Sequence, residues 1–368
     1  MPRSKLSCHL KRLQAGFGHS AAPVRRARRS HQSSVLAIVE RLEARVLLSA
    51  ATVDLPSASS VTSSTANLDG NISADGGSAV TERGFVYALT SENANPQIGG
   101  ANVIQVADVG SGTGAFTVPV TGLDPLSSYT FVAYAINGDG TAYSTPATLT
   151  TLEAPSFVVT TTDDIVDATD GRTSLREALD YANNTPGADT ITFGGPVFTD
   201  ANPDTIALQL GQLNVTDSVT ISGAGATSLT IDGDNSSRVF YLYNGAATLD
   251  ITLSGMTITG GNANIGGGIV DFDENLTLVD SVVTGNTSSG KGGGLWADGF
   301  SMTLTIRRTE ISNNTAGDDG GGIYVEDTGG LLTIEDSTIS GNQSSGDGGG
   351  VYFYDPDHDV LITRSTLS

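Results

Sequence analysis

Acidic side chains are the main chemical resource of this chain, and several lie close enough together to suggest a site. Asp318-Asp319 and Asp347 occupy turns that precede glycine triplets, and Asp271-Phe272-Asp273-Glu274 packs three acids into four residues. Paired carboxylates can divide general-acid and general-base work or hold a divalent cation. Such sites usually draw on a nearby Lys, Arg or His, and beyond residue 50 the chain has one Lys, Lys291, and one His, His358. His358 lies in an acidic loop, Asp355-Pro356-Asp357-His358-Asp359. Asp232-Gly233-Asp234-Asn235 lacks the later ligands of an EF-hand loop and reads as a corner turn. No Ser-His-Asp set or metal cluster stands out. The residues therefore nominate no catalytic group, and their one cofactor candidate is weakly held Ca²⁺ at Asp319 and Asp347 or at the Asp271-Phe272-Asp273-Glu274 loop, where solvated carboxylates explain the same pattern.

Two columns of side chains carry more information because their spacing is constant. Trp296, Tyr324 and Tyr352 recur every 28 residues, with Val270 at the start of the series, and follow the inward candidates Leu295, Ile323 and Val351. Alternation along a strand then turns the rings outward, where they are the candidate glycan-contacting strip. A stacking ladder that only stabilises the chain is the competing reading. Asp280, Arg308, Asp336 and Arg364 recur at the same interval with alternating sign. That order predicts an outward ion ladder, since like charges stacked in register would repel.

The elements that must position these columns follow from the same period. Leu276, Leu304, Leu332 and Val360 fall in one register, as do Leu278, Ile306, Ile334 and Ile362, and Val283, Ile311, Ile339 and Leu367. A repeat of this length marks a solenoid whose units bury their apolar faces against their neighbours. Leu332-Thr333-Ile334-Glu335 alternates apolar and polar residues with no helical period, so each unit is built of short strands. Stacked strand on strand, these make a parallel β-helix, right-handed as parallel crossovers are. Glycine triplets beginning at Gly292, Gly320 and Gly348 mark one corner, and Asn286, Asn314 and Asn342 mark another, where their amides can form a ladder.

Val283-Thr284-Gly285-Asn286, Ile311-Ser312-Asn313-Asn314 and Ile339-Ser340-Gly341-Asn342, paired with the glycine motif, resemble the repeats of polymorphic outer-membrane protein passengers. More broadly the pattern resembles the pectate-lyase-like β-helices. The resemblance implies the coiled fold. It also implies a rival function, since that class includes polysaccharide lyases and glycoside hydrolases.

Charge divides the chain in two. Residues 1–50 hold ten Lys and Arg against two Glu, whereas the other 318 residues hold eight basic and 38 acidic side chains. The basic run Arg25, Arg26, Arg28 and Arg29 has no interleaved aromatic residue, and the acidic body would repel phosphate, so nucleic acid is excluded as a partner. The single cysteine, Cys8, leaves the body without a disulfide or thiolate site. No apolar run reaches the ~18 residues that a membrane helix needs. Leu42-Glu43-Ala44-Arg45-Val46-Leu47-Leu48 resembles the LEPR-XLL motif of large planctomycete surface proteins, with Ala44 in the proline position. That resemblance, with small residues downstream, implies an export or sorting leader over residues 1–51.

Residues 52–152 read as an all-β sandwich, with strands over 84–89, 103–106, 115–120, 129–136 and 142–150. The run Leu123-Asp124-Pro125 to Tyr129 resembles the tyrosine corner of fibronectin type III domains, although the family's early core Trp is missing. Residues 155–200 form a capping segment. Within it, Ser174 and Glu177 predict a capping box, and Leu175, Ala178, Leu179 and Ala182 share one helical face, ending at Pro186-Gly187. Asp170 to Leu179 resembles the CSLREA segment of bacterial surface β-helix proteins, with Thr173 replacing the Cys. The β-helix then occupies 201–368. It stops at Ser368, before the next Gly-Asn corner, which reads as C-terminally incomplete.

The composite expectation is a non-enzymatic extracellular or cell-surface adhesin or structural protein with a glycan or cell-surface partner and no assigned oligomeric state. The alternative is a lyase or hydrolase acting on polysaccharide.

Overall fold

The computed structural model describes residues 48–300, 302–326, 330–354 and 359–368. The leader up to residue 47 and His358 lie outside the described residues.

Two antiparallel sheets form the N-terminal β region. Glu82–Leu89 runs between Ile104–Ala107 and Ser128–Asn137, while Thr65–Ala74 pairs with Gly114–Thr121 and with the short strands Thr52–Val53 and Ser57–Ser59. Leu68, Ile72, Phe85, Phe116 and Phe131 fill the space between the sheets. The Tyr129 hydroxyl accepts the Asp124 amide at 2.9 Å, which closes the corner that the sequence predicts. The strand expected over 142–150 is instead two, Gly140–Tyr143 and Ala147–Thr150. Pro146 has no N–H to continue a ladder; Ser144 before it still holds Ala133, its amide donating to the Ala133 carbonyl and its Oγ accepting the Ala133 amide.

From residue 189 onward the chain coils into a right-handed parallel β-helix of about six turns. Three long stacks of parallel strands form its walls. One begins at Val158–Val159 and Asp189–Phe193 and runs through Asn275–Val279 and Leu304–Arg307 to Val360–Thr363. A second runs from Asp204–Ala207 to Thr366–Leu367, and a third from Leu213–Val215 to Val351–Tyr354. A fourth stack of two-residue strands, including Thr287–Ser288 and Thr315–Ala316, closes the coil. Leu276 pairs with Leu304 and Leu304 with Leu332, so equivalent residues lie directly over one another. Period-two alternation sends Leu276, Leu278, Ile306 and Ile334 into one continuous apolar lumen.

Three left-handed corners turn each regular coil. The first is the charged column itself, with φ of 53° at Asp280, 46° at Arg308, 51° at Asp336 and 50° at Arg364. The second precedes the asparagine ladder, at Gly285, Asn313 and Gly341, and the third opens the glycine triplets at Gly292, Gly320 and Gly348. Glycine adopts this region without strain and Asn with little. In the triplets the third glycine is excluded from growth by the next coil: a Cβ on Gly294 would lie 2.7 Å from the Gly322 carbonyl oxygen and 3.0 Å from Asn314.

The capping helix is Leu175–Asn184, begun by a reciprocal box in which Ser174 Oγ accepts the Glu177 amide and Glu177 accepts the Ser174 amide. Its buried face, Leu175, Ala178, Leu179 and Ala182, joins the apolar lumen. Arg176 locks the helix to the first coils. Its guanidinium grips Asp164 at 2.7 and 2.9 Å and donates to the carbonyls of Gly211 and Gln212. A second short helix, Gly195–Thr199, follows the first coil strand and was not legible beforehand.

Candidate ligand-contacting face

The third wall carries the aromatic column. Ile269, Leu295 and Ile323 point into the lumen, and the next residue of each strand points out, placing Tyr241, Val270, Trp296, Tyr324 and Tyr352 in one register. The direction agrees with the alternation; the exposure does not. Trp296 is 6% exposed and Tyr324 0%, and Tyr352 is half-buried, so the first two rings offer no surface to a sugar. Their neighbours cover them. Ile265 and Phe272 pack against the cluster, Tyr324 stacks on Tyr352 with ring centroids 5.4 Å apart, and Phe272 lies 5.8 Å from Trp296. Lys291 completes the cover, its Nζ 4.4 Å from the centre of the Tyr324 ring and 2.6 Å from that ring's hydroxyl. Burial works against the Lys291 charge, but its bonds to Tyr324 and Glu326 hold the ammonium above its ordinary value. In the structure Tyr324 and Tyr352 stack on each other, and Trp296 packs against Phe272.

The other columns are also bound into the stack. Arg308 grips Asp280 through two bonds of 2.6 and 2.8 Å, and Arg364 grips Asp336 at 2.6 and 3.0 Å. The expected ladder thus forms as pairs. Arg307 joins it by pairing with Glu335 at 3.0 Å, and Glu335 also binds Arg364. Each Arg holds the carboxyl of its Asp partner below the usual range. The asparagines do as the sequence predicts: Asn286 Nδ2 donates to Asn314 Oδ1 at 3.0 Å and Asn314 Nδ2 to Asn342 Oδ1 at 2.9 Å.

The Ca²⁺ candidates behave as turn residues. Asp319 Oδ1 accepts the Asp347 amide at 2.7 Å, bracing one turn against the next. Among the described residues no three His, Cys, Asp or Glu side chains converge as a cation site requires. Asp232 Oδ1 accepts the Asp234 amide at 2.8 Å, the bond of a corner turn.

Two of the three acids at 271–274 are buried, against the expectation of a solvated loop. Asp271 pairs in register with Leu242 on one side and Ala297 on the other, so its carboxyl points into the lumen and is 0% exposed. Neither oxygen makes a well-formed hydrogen bond, and the Glu274 backbone amide offsets the burial only in part. Desolvation, followed by the nearby Glu274 charge, holds its proton affinity well above the ordinary carboxylate range. Glu274 is 1% exposed and accepts the amides of Asn244 and Leu249; burial raises its proton affinity too. Pairing Ile269-Val270-Asp271 with Leu295-Trp296-Ala297 would have shown the inward aim from sequence. That coil is 26 residues long, however, because Ile269 lies over Leu295, and it falls out of the 28-residue frame.

Beside these acids the solenoid wall opens into a cavity of about 330 Å³. Its walls are the loop Tyr243 to Thr248 and the turn Phe272-Asp273-Glu274, with Phe300 at the rim. Tyr243 is 38% exposed and Phe300 79%. Tyr243 meets Phe272 edge-on, with centroids 5.3 Å apart. Asp273, in the left-handed region at φ 65°, is exposed and receives the Phe300 amide on Oδ1 at 3.1 Å. Asn244 Oδ1 accepts the amides of Ala246 and Ala247, which shapes the facing loop.

Residues 187–367 match the family described as right handed beta helix region. Among solved structures, the fibronectin type III domain of human collagen XX is 18% identical and covers 30% of this chain and 99% of its own, with a TM-score of 0.22. A sensor domain of an anti-sigma factor from Pseudobacteroides cellulosolvens is 18% identical over 29% of this chain and 98% of its own, with a TM-score of 0.22. A family 28 exopolygalacturonase from Yersinia enterocolitica is 14% identical over 86% of this chain and 74% of its own, with a TM-score of 0.21. Likenesses this low carry no activity over to this chain. No curated protein matches it.

Proposed function

We propose that this chain is a non-enzymatic extracellular or cell-surface protein, structural or adhesive, whose acidic solenoid acts as a stiff spacer presenting one face for glycan or protein contact. The observation that carries this reading is where the repeated polar side chains spend their bonds. Asn286, Asn314 and Asn342, Asp280 with Arg308, and Asp336 with Arg364 all bond to their equivalents one coil away. Side chains repeated for stacking make a rod, and a rod with a short cap at its start can be lengthened without altering its ends. The basic leader with its LEPR-XLL-like segment, the fibronectin-like sandwich and the CSLREA-like cap support export and display. Among the described residues no helix is long and apolar enough to cross a membrane, a statement that leaves β-barrels aside.

One observation favours the lyase or hydrolase reading: Asp271 and Glu274 are two carboxyls with raised proton affinity next to a cavity. Against it, Asp271 faces the lumen and Glu274 spends both oxygens on backbone amides. Incubating the full chain with polygalacturonate, xylan and mannan, with and without Ca²⁺, separates the two readings. No new reducing ends and no unsaturated products are expected; release of either that is lost in Glu274→Gln would establish the enzyme.

A further inference from the structure

We infer that the cavity between residues 243–248 and 272–274 binds one unit of a neutral saccharide, its ring laid against Tyr243 and Phe300 and its hydroxyls bonded to Asp273. The inference rests on the contact role proposed above and names where that contact occurs and what charge the ligand has.

Three observations lead to it. First, the aromatic rings on and beside the third wall differ in exposure. Trp296 and Tyr324 are sealed in the stack, whereas Tyr243 and Phe300 stand at 38% and 79% exposure on the lining of one concavity. A single exposed ring needs no explanation, but two on one concavity make an apolar patch of the kind that marks a contact site. Second, the cavity's 330 Å³ lies at the lower end of the range for small-ligand pockets, a size for one ring and its substituents, not for an extended chain.

Third, the polar groups discriminate. The lining carries two carboxyl side chains, Asp273 and Glu274, and no Lys, Arg or His, in a chain of net charge −22. A uronate or sialate carboxyl would enter against that field, while uncharged hydroxyls can donate to carboxylate oxygens. Glu274 is occupied with the Asn244 and Leu249 amides and braces the two sides of the cavity. Asp273 holds the Phe300 amide with Oδ1 and is exposed, so its carboxylate both positions the rim ring and faces an incoming hydroxyl. The close fit of Gly299, where a Cβ would lie 2.5 Å from Asp273 Oδ1, fixes this approach.

The test is calorimetric titration of the full chain with cellohexaose, xylohexaose, mannohexaose and hexagalacturonate. At least one neutral hexasaccharide should bind saturably, and hexagalacturonate should bind at least tenfold more weakly. Tyr243→Ala and Phe300→Ala should each weaken the neutral ligand at least tenfold, and Phe300→Ala should do so with the unfolding midpoint unchanged, as Phe300 is mostly exposed. Asp273→Asn should narrow the gap between neutral and acidic ligands. The inference is overturned if no neutral hexasaccharide binds, if hexagalacturonate binds as well as the neutral sugars, or if both ring variants bind as tightly as the unaltered chain. The two readings fail separately: absence of binding without turnover leaves the spacer role standing, whereas turnover of a bound sugar removes the non-enzymatic role and keeps the site.

Discussion

Asp271 is the residue at which the demands of the fold are least met. A carboxyl sealed between Leu242 and Ala297 without a well-formed hydrogen bond must stay protonated or bear the cost of a buried charge. Its proton affinity is raised in the folded chain, while the unfolded chain releases the proton near pH 4. Below about pH 4 both states hold the proton and the residue has no pH-dependent effect. As pH rises above that value only the unfolded state ionises, so stability falls until the folded carboxyl also ionises, with a slope approaching about 1.4 kcal/mol per pH unit. Denaturant unfolding of Asp271→Asn should therefore lose less stability between pH 4 and 8 than the unaltered chain. Asp271→Val, matching Val325 in the same column, should raise the midpoint at pH 7. Identical pH profiles for the Asn variant and the parent would place the carboxyl in contact with water.

The strands and corners owe their stacking to groups that sequence position alone marks only partly. Asn314 is 0% exposed and serves two neighbours at once: its Oδ1 accepts the Asn286 backbone amide and Nδ2, each at 3.0 Å, and its own Nδ2 donates to Val283 O and Asn342 Oδ1. Asn314→Ala leaves several buried partners unmet, at about 1–3 kcal/mol for each group that finds no substitute. A loss of about 3 kcal/mol or more in equilibrium unfolding is the expected result. Asn342→Ala should cost less, because Asn342 is half-exposed and water can replace the lost bonds. The charged column shows the opposite economy. Its Asp and Arg residues accept a left-handed backbone that Asn or Gly would take more easily, and surface ion pairs of this kind add little stability. The column's alternation is better explained by avoidance of stacked like charges than by strong attraction.

At the scale of the whole molecule the solenoid is coupled only between neighbours, so its first open end depends on the helix that covers it. Leu179 is 2% exposed and belongs to the same apolar cluster as Ile191, Leu213 and Val215. Leu179→Ala should cost about 2–5 kcal/mol. Because coupling is local, native-state hydrogen exchange should speed up first in the strands Asp189–Phe193 and Leu213–Val215 and leave Leu304–Arg307 little changed. Uniform acceleration along the rod would show that the coils unfold as one unit.

Much of this architecture was legible before any coordinates. The 28-residue columns placed Leu304 over Leu332, joined the asparagines and located the helix that caps the coils, because in a strand direction follows position by simple alternation, and a capping box is local. What remained hidden depended on how far a side chain is covered after it leaves its strand. Trp296 and Tyr324 point outward as alternation requires, yet Lys291 and Phe272, which cover them, come from other strands and turns. Val270 could be set ahead of Trp296 in the sequence, yet its neighbour Asp271 read as part of an acidic turn, because in a coil two residues shorter only the lateral hydrogen bonds show that the strand extends to include it. The cavity beside Phe272 likewise exists only where segments 243–248, 272–274 and Phe300 meet. The amino-acid order determined which way each side chain faces, and only the packing of coil on coil decided which of those faces meets water.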